Sequence, residues 1–332
     1  MPLYSYTPPN LQDIRSMDEE DYQVVCFPTP YQSAQNPKDR VFLHLFSPPP
    51  GCPVKGDIVF LHGIGDGNIP HLQWYARRFR SKGYRTAFLI LPFHGERALP
   101  GVKGGEPFYS LEPDTCVVLF HQAAKDVRAS VDFLQQQPGF DAGKLFLVGV
   151  SFGGIIGTIA LGLEKRFQKA SLLITGGNWR WINFHSPAPY GLKMRPENLQ
   201  AVNRYGCQNE HDCVTRYRQD PVDWVKKNVR SVEDIFTRAP IPCYAYDSLS
   251  FAPLVTQPLL FIRGRFDRLI PRQATEELLE LLPHKTVVSI PAGHKSSILF
   301  KRRIARNILR FFEKTENCPP WDRRTPVRLI RP

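Results

Sequence analysis

The chain predicts an α/β protein, with a mostly parallel central sheet, helices on both faces of it and an inserted cap. Three observations carry that prediction. Apolar runs such as Ile58-Val59-Phe60-Leu61 and Leu145-Phe146-Leu147-Val148 lack polar alternation, the pattern of parallel strands covered on both faces. Segments between such runs place apolar residues at three- and four-residue steps, the period of an amphipathic helix. From Gly176 to about Pro253 this order gives way to tryptophans, prolines and charged residues, and then it resumes.

Residues 1–40 are rich in proline, aromatic and turn-forming residues and read as an N-terminal arm lying over the core. Strands are expected at 41–46 and 57–61, the second ended by His62-Gly63. A helix over 70–82 carries Leu72, Tyr75, Ala76 and Phe79 on one face and stops at Gly83, and a strand follows over 84–91. The order repeats. Helix 116–137 has Val117, Phe120, Ala124, Val127, Val131 and Leu134 at helical spacing, strand 144–150 is apolar throughout, and a small-residue helix over 153–163 leads to a strand at 170–174. Alternation of this kind implies one parallel sheet with right-handed crossovers. Residues 177–253 are read as the cap. After them come strand 258–263, helix 271–282 opened by Pro271, strand 286–290 and helix 295–314. The core therefore spans 41–176 and 254–315, and 316–332 form a basic C-terminal tail.

Composition bounds the function. The 332 residues, 42% apolar and 22% charged, suit one sizeable core with an excursion. A net charge of +12 invites polyanions. The cations are dispersed, however, except along 295–310 and at Arg323, Arg324, Arg328 and Arg331, and no nucleic-acid fold signature accompanies them, so a solvated basic face is expected and no nucleic-acid partner. Seven cysteines rule out complete pairing. The polar and acidic start lacks the apolar run of a signal peptide, and no stretch of 18 or more apolar residues occurs. A cytoplasmic protein without a membrane span is the expectation.

The chemistry is concentrated at Gly149-Val150-Ser151-Phe152-Gly153, where an apolar strand runs directly into a helix. A serine on so sharp a turn needs small residues two positions to either side, and its hydroxyl then projects above the sheet. A hydroxyl is a poor nucleophile until a base takes its proton. His294, in Ala292-Gly293-His294 after the last strand, is the candidate base, and Asp267, in Gly264-Arg265-Phe266-Asp267 after the preceding strand, is the candidate acid that orients it. Asp247 is the alternative acid. All three candidates follow strand C-termini, the edge at which open α/β sheets bind ligands. Charge developing on a carbonyl oxygen needs donors, for which the Phe152 and Ile64 amides are the candidates, with Gly63 in reserve. His62, Gly63 and Trp179 are the expected substrate contacts.

These motifs resemble the α/β-hydrolase superfamily over roughly residues 40–315, and among its branches the capped bacterial esterases and dienelactone-hydrolase-like proteins. Leu61-His62-Gly63, Leu91-Pro92-Phe93-His94-Gly95-Glu96-Arg97, Gly149 to Gly154, Asp247 to Ala252 and Gly264 to Asp267 carry the likeness. The resemblance implies the α/β-hydrolase fold with its cap inserted after the sixth strand, and hydrolysis of a small ester or thioester through an acyl-enzyme, without cofactor or metal. It departs from lipases with a His-Gly-Gly-Gly loop, and serine in place of aspartate argues against dehalogenases. A peptidase of the same fold and a binding protein that has lost activity are the alternatives. Several neighbours are read both ways. His94, Glu96 and Arg97 line the site or fix a loop by a Glu-Arg pair; Asp66 binds substrate or, in the favoured reading, caps the following helix; Cys207 and Cys213, spaced wrongly for zinc, are a local disulfide or thiols. Trp179, Trp181, Phe184, Tyr190 and Trp224 shape an apolar pocket or simply pack the cap on the core.

Overall fold

The computed structural model describes residues 2–34, 36–101, 104–109, 112–187, 210–217 and 220–314. Its strands are β1 (Arg15–Asp18), β2 (Gln23–Pro28), β3 (Arg40–Phe46), β4 (Gly56–Leu61), β5 (Tyr84–Ile90), β6 (Leu145–Val150), β7 (Lys169–Leu173), β8 (Leu259–Gly264) and β9 (Lys285–Ile290). They form one 9-stranded sheet in the order β1-β2-β3-β5-β4-β6-β7-β8-β9. From β5 to β9 every neighbouring pair is parallel, and β1, β2 and β3 add antiparallel strands at one edge. The strands without polar alternation lie where two-sided burial demands it: β4, β5 and β6 are buried at every position.

Helices cover both faces. Helix α1 (Asn68–Arg80) shares an apolar layer with the C-terminal helix, Lys301–Glu313, where Tyr75, Ala76 and Phe79 meet Ile304, Ile308 and Phe312 along with Ile58 and Phe60 of β4. Helices α2 (Pro113–Gln135) and α3 (Phe152–Leu163) cover the opposite face, on which Val59 and Leu61 point. Alternate residues of one strand thus feed two different cores, which is why β4 is apolar from Ile58 to Leu61 and why its one buried carboxylate, Asp57, is paired with Arg85 of β5 at 2.5 Å.

Between β7 and β8 the described residues hold short helices, α4 (Trp179–His185), α5 (Pro221–Asn228), α6 (Val232–Arg238) and α7 (Ser248–Phe251). Ile235, Ile241 and Tyr244 belong to the same apolar cluster as α2 and α3. Tyr190, Cys207 and the tail at 316–332 lie outside the described residues, and with them the expectations for Cys207 pairing and for the basic tail. The last elements of the chain are α8 (Arg272–Leu281) and α9 (Lys301–Glu313).

Three expectations are corrected. The N-terminal arm does not merely lie over the core: β1 and β2 extend the sheet, with Phe27 opposite Val41. The inserted segment consequently follows the seventh strand and not the sixth. The single helix expected over 295–314 is a tighter 3₁₀ stretch, Lys295–Phe300, followed by α9. The reason is local, since the Ser297 hydroxyl donates to the His294 carbonyl at 2.6 Å and none of the six residues in the stretch is buried to anchor a regular turn.

Candidate active site

The sheet order places β4 between β5 and β6, so the connections leaving β4's neighbours part company there. At such a switch point a crevice opens beyond the strand C-termini. Leu61 pairs with Gly149 across β4 and β6, and the loops that follow these two residues form one wall of the site.

Ser151 sits between β6 and α3 with φ 55° and ψ −117°. Backbone of this kind costs of order 1–3 kcal/mol and survives where its surroundings impose it. The imposing contacts are visible on both sides. A Cβ on Gly149 would collide with the Gly153 carbonyl oxygen, and one on Gly153 with the carbonyl oxygens of Leu61 and His62. Only glycine lets β4 and the start of α3 approach this closely. The Ser151 amide donates to the Leu173 carbonyl at 2.8 Å, which locks the turn to β7.

The structure brings Ser151, His294 and Asp267 together. Nε2 of His294 lies 2.9 Å from Ser151 Oγ, and Nδ1 lies 2.8 Å from Asp267 Oδ2. Because a carboxylate only accepts, Nδ1 carries the proton and Nε2 is left to accept from the serine hydroxyl. The second oxygen of Asp267 accepts the amides of Leu269 and Ile270 at 2.9 and 3.0 Å, so the carboxylate is held by backbone. The loops of the two residues meet, with the Phe266 amide donating to the Ala292 carbonyl at 3.0 Å. The His294 and Asp267 side chains are 15% and 8% exposed, open enough for a substrate and dry enough for strong hydrogen bonds.

Asp247, the alternative acid, is engaged elsewhere. Its Oδ1 accepts from the amides of Asn178 and Leu249 and its Oδ2 from Trp179, so it ties the start of α4 to α7.

The loop after β4 lies against the serine. A Cβ on Gly63 would stand 3.4 Å from the Ser151 Cβ, and Gly63 and Ile64 line one cavity with Ser151 and His294. His62 does not face that cavity, which corrects its expected substrate contact. Its ring is fully buried, Nδ1 donates to the Gly63 carbonyl at 2.7 Å and Nε2 accepts the Leu91 amide at 3.1 Å. Burial, with His94 nearby, holds this imidazole well below its ordinary pKa and keeps it neutral. The consequence is directional. In a trans peptide the carbonyl and the next N–H point opposite ways, so a Gly63 carbonyl turned to His62 turns the Ile64 amide away from it. His94 does related work, accepting the Gly65 amide on Nε2 at 3.3 Å and donating from Nδ1 to Pro92 at 2.9 Å. Its pKa too is lowered by burial. The Phe152 amide opens α3, where first-turn N–H groups point along the axis and the helix dipole favours negative charge.

Other expectations are revised. Trp179 is 6% exposed, packs its ring against Phe120 and Tyr246, and does not line the cavity that holds Ser151 and His294. Glu96 and Arg97 do not pair with each other: Glu96 meets His44 at 2.6 Å, while the buried Arg97 meets Asp39 at 2.5 Å and Asp126 at 2.8 Å. Asp66 is not the helix cap, since Gly67 precedes α1; its carboxylate accepts from the Gly95 and Gly104 amides and clasps two loops together. Among the described residues no group of three or more His, Cys, Asp or Glu is placed to hold a metal ion, and no helix is long and apolar enough to cross a membrane. Sequence reasoning placed Tyr75 on the packed face of a helix and missed that it lines the cavity. A hydroxyl on an otherwise wholly apolar face was the available signal.

Comparison with solved structures returns the same architecture. Acylaminoacyl peptidase from Pyrococcus horikoshii superposes with a TM-score of 0.60 at 13% identity, over 92% of this chain and 44% of that one. The chain thus spans less than half of the peptidase's length. Acetyl xylan esterase from Paenibacillus sp. R4 superposes with a TM-score of 0.56 at 16% identity, over 94% of this chain and 90% of that one. Acetyl xylan esterase 1 from Thermoanaerobacterium sp. JW/SL YS485 gives 0.57 at 15% identity, over 94% and 91%. Comparison with curated protein sequences finds no match. The family model described as "Alpha/beta hydrolase family" matches residues 58–306, from the first parallel strand through His294 and into α9, and the chain belongs to that family.

Proposed function

We propose that the protein is a serine hydrolase that cleaves carboxylic esters or thioesters through an acyl-enzyme. One observation carries the reading: the unbroken line of hydrogen bonds from Ser151 Oγ through His294 to Asp267, at 2.9 and 2.8 Å. His294 Nε2 takes the hydroxyl proton as Ser151 Oγ bonds to the carbonyl carbon, and Asp267 stabilises the imidazolium. The electron pair displaced onto the carbonyl oxygen meets the amides of Ile64 and Phe152. When the tetrahedral intermediate collapses, His294 returns the proton to the leaving alcohol or thiol. Water repeats the sequence on the acyl-enzyme and frees Ser151. No cofactor is needed at any step.

A fluorophosphonate tests the assignment, because Ser151 Oγ displaces fluoride from phosphorus and stays phosphonylated. The intact protein is expected to label at Ser151 and Ser151→Ala is expected not to. A folded protein that never labels is instead a binding protein on a hydrolase scaffold. The likeness to acylaminoacyl peptidase supports a second reading, cleavage of peptide amides. A matched panel of p-nitrophenyl esters and peptide p-nitroanilides separates the two; faster turnover of the esters is expected, and dominant amide cleavage would favour the peptidase.

A further inference from the structure

The cavity beside Ser151 and His294 has a volume of about 560 Å³, within the range of pockets that enclose a small organic ligand. Its walls come from several parts of the fold. Leu72 and Tyr75 belong to α1, Leu173 and Ile262 to the ends of β7 and β8, Leu269 to the loop after Asp267, and Ile304 to α9. Asn68, His71 and Lys295 also line it and are exposed, so the polar residues stand at its open side, together with Ile298, and the other aliphatic ones lie within. An apolar group joined to the scissile ester has somewhere to go.

One wall residue breaks the aliphatic pattern. Tyr75 is 4% exposed, yet among the described residues its hydroxyl neither donates nor accepts a hydrogen bond. The fully enclosed side-chain atoms that lack a partner do not include it, so this hydroxyl opens onto the cavity. Burial raises its pKa, and the group stays a neutral donor. In the unliganded protein water can satisfy it. A hydrocarbon chain that displaces that water strands the hydroxyl, whereas a chain bearing an oxygen takes over the bond.

We propose that this cavity binds the apolar chain of the substrate ester, and that the chain carries a hydrogen-bond acceptor, an ether, hydroxyl or carbonyl oxygen, that meets Tyr75. The proposal rests on the serine hydrolase reading and narrows its substrate class to oxygen-bearing aliphatic esters.

Alkyl fluorophosphonates of increasing chain length, each plain or with one ether oxygen in the chain, test it on the intact protein. Labelling of Ser151 is expected to accelerate from methyl to hexyl. The best ether probe is expected to exceed its plain counterpart by about tenfold, the worth of one neutral hydrogen bond. Tyr75→Phe should erase that ratio, the ether probe falling to the rate of its plain counterpart, and Leu72→Trp, which fills space from a half-buried position, should slow the long probes more than the short ones. Rates indifferent to chain length, or a plain-to-ether ratio untouched by Tyr75→Phe, would overturn the proposal and leave the nucleophile standing. Calorimetry of Ser151→Ala with hexyl ketones, plain and ether-bearing, supplies the converse. Binding that depends on Tyr75 in a protein whose parent never labels would keep the cavity and remove the nucleophile; absence of such binding would remove the cavity as well.

Discussion

The two late aspartates make opposite use of the same carboxylate chemistry. Asp267 spends one oxygen on the Leu269 and Ile270 amides and the other on His294, whereas Asp247 gives both to backbone amides that join α4 to α7. Replacing Asp267 with asparagine leaves the backbone bonds but puts an amide where the imidazole needs an acceptor, and the ring turns to the wrong tautomer. A loss of about 10³–10⁴ in kcat is expected, by the precedent of the serine proteases. Asp247→Asn keeps an acceptor for the Asn178 and Leu249 amides but sets an NH2 against the Trp179 N–H in the core, so its cost of roughly 1–3 kcal/mol belongs in urea unfolding, with ester turnover nearly unchanged. The reverse pattern would make Asp247 the working acid. Ser151, His294 and Asp267 were legible because each follows a strand in a recognisable local motif. His62 was not, because its burial depends on the amide of Leu91, a residue on another strand that no local pattern joins to it. Trp179 escaped for the same reason: its partners, Phe120 and Tyr246, come from distant parts of the chain.

At the scale of elements, the parallel strands were readable from their unbroken apolar runs, and the helices from their spacing. Strands β1 and β2 were not. Gln23–Pro28 is six residues closed by proline, with a buried apolar run of only four, Val24 to Phe27, and β1 is exposed at all four positions. What makes β2 a strand is its pairing with β3 over six residues, which no local rule discloses. Phe27 measures how much the extension matters. It is fully buried, stacked on Phe133 of α2 with ring centroids 5.7 Å apart. Phe27→Ala is expected to cost about 3–5 kcal/mol in urea unfolding, as for other large core truncations. Fluorophosphonate labelling of the surviving folded protein should keep its rate, since β2 and β4 are separated by β3 and β5 in the sheet. A loss below about 1 kcal/mol would return the arm to the role the sequence suggested, a cover and not a strand.

Across the whole molecule, three histidines are enclosed and neutral, and together they set how stability responds to acid. His121 is the clearest. Its Nε2 donates to the Ala245 carbonyl at 2.6 Å, Nδ1 has no partner, and burial, with Lys125 adding repulsion, pushes its pKa down to about 4. His62 and His94 are lowered by burial as well. An unfolded histidine titrates near 6.5, so between that pH and the folded value the unfolded chain binds protons that the folded chain refuses. Stability is therefore complete above about pH 6.5 and is lost as the pH falls toward 4. The gap at His121 alone corresponds to roughly 3 kcal/mol. Asp126 opposes the trend, its pKa raised by burial to about 6, so its folded form holds a proton that the unfolded form releases. Asp57, its pKa also raised by burial, acts in the same sense, and two carboxyls against three imidazoles still leave acid destabilising. Urea unfolding at pH 7.5 and pH 5 should show a clear drop, and His121→Gln, whatever it costs at neutral pH, should shrink the difference between the two pH values. The glutamine carries no charge at either pH, so only the titration is removed. An unfolding free energy that is flat over this interval would mean that the enclosed rings accept protons readily, and the neutral His62 and His94 that hold the loop beside Ser151 would lose their physical basis with it.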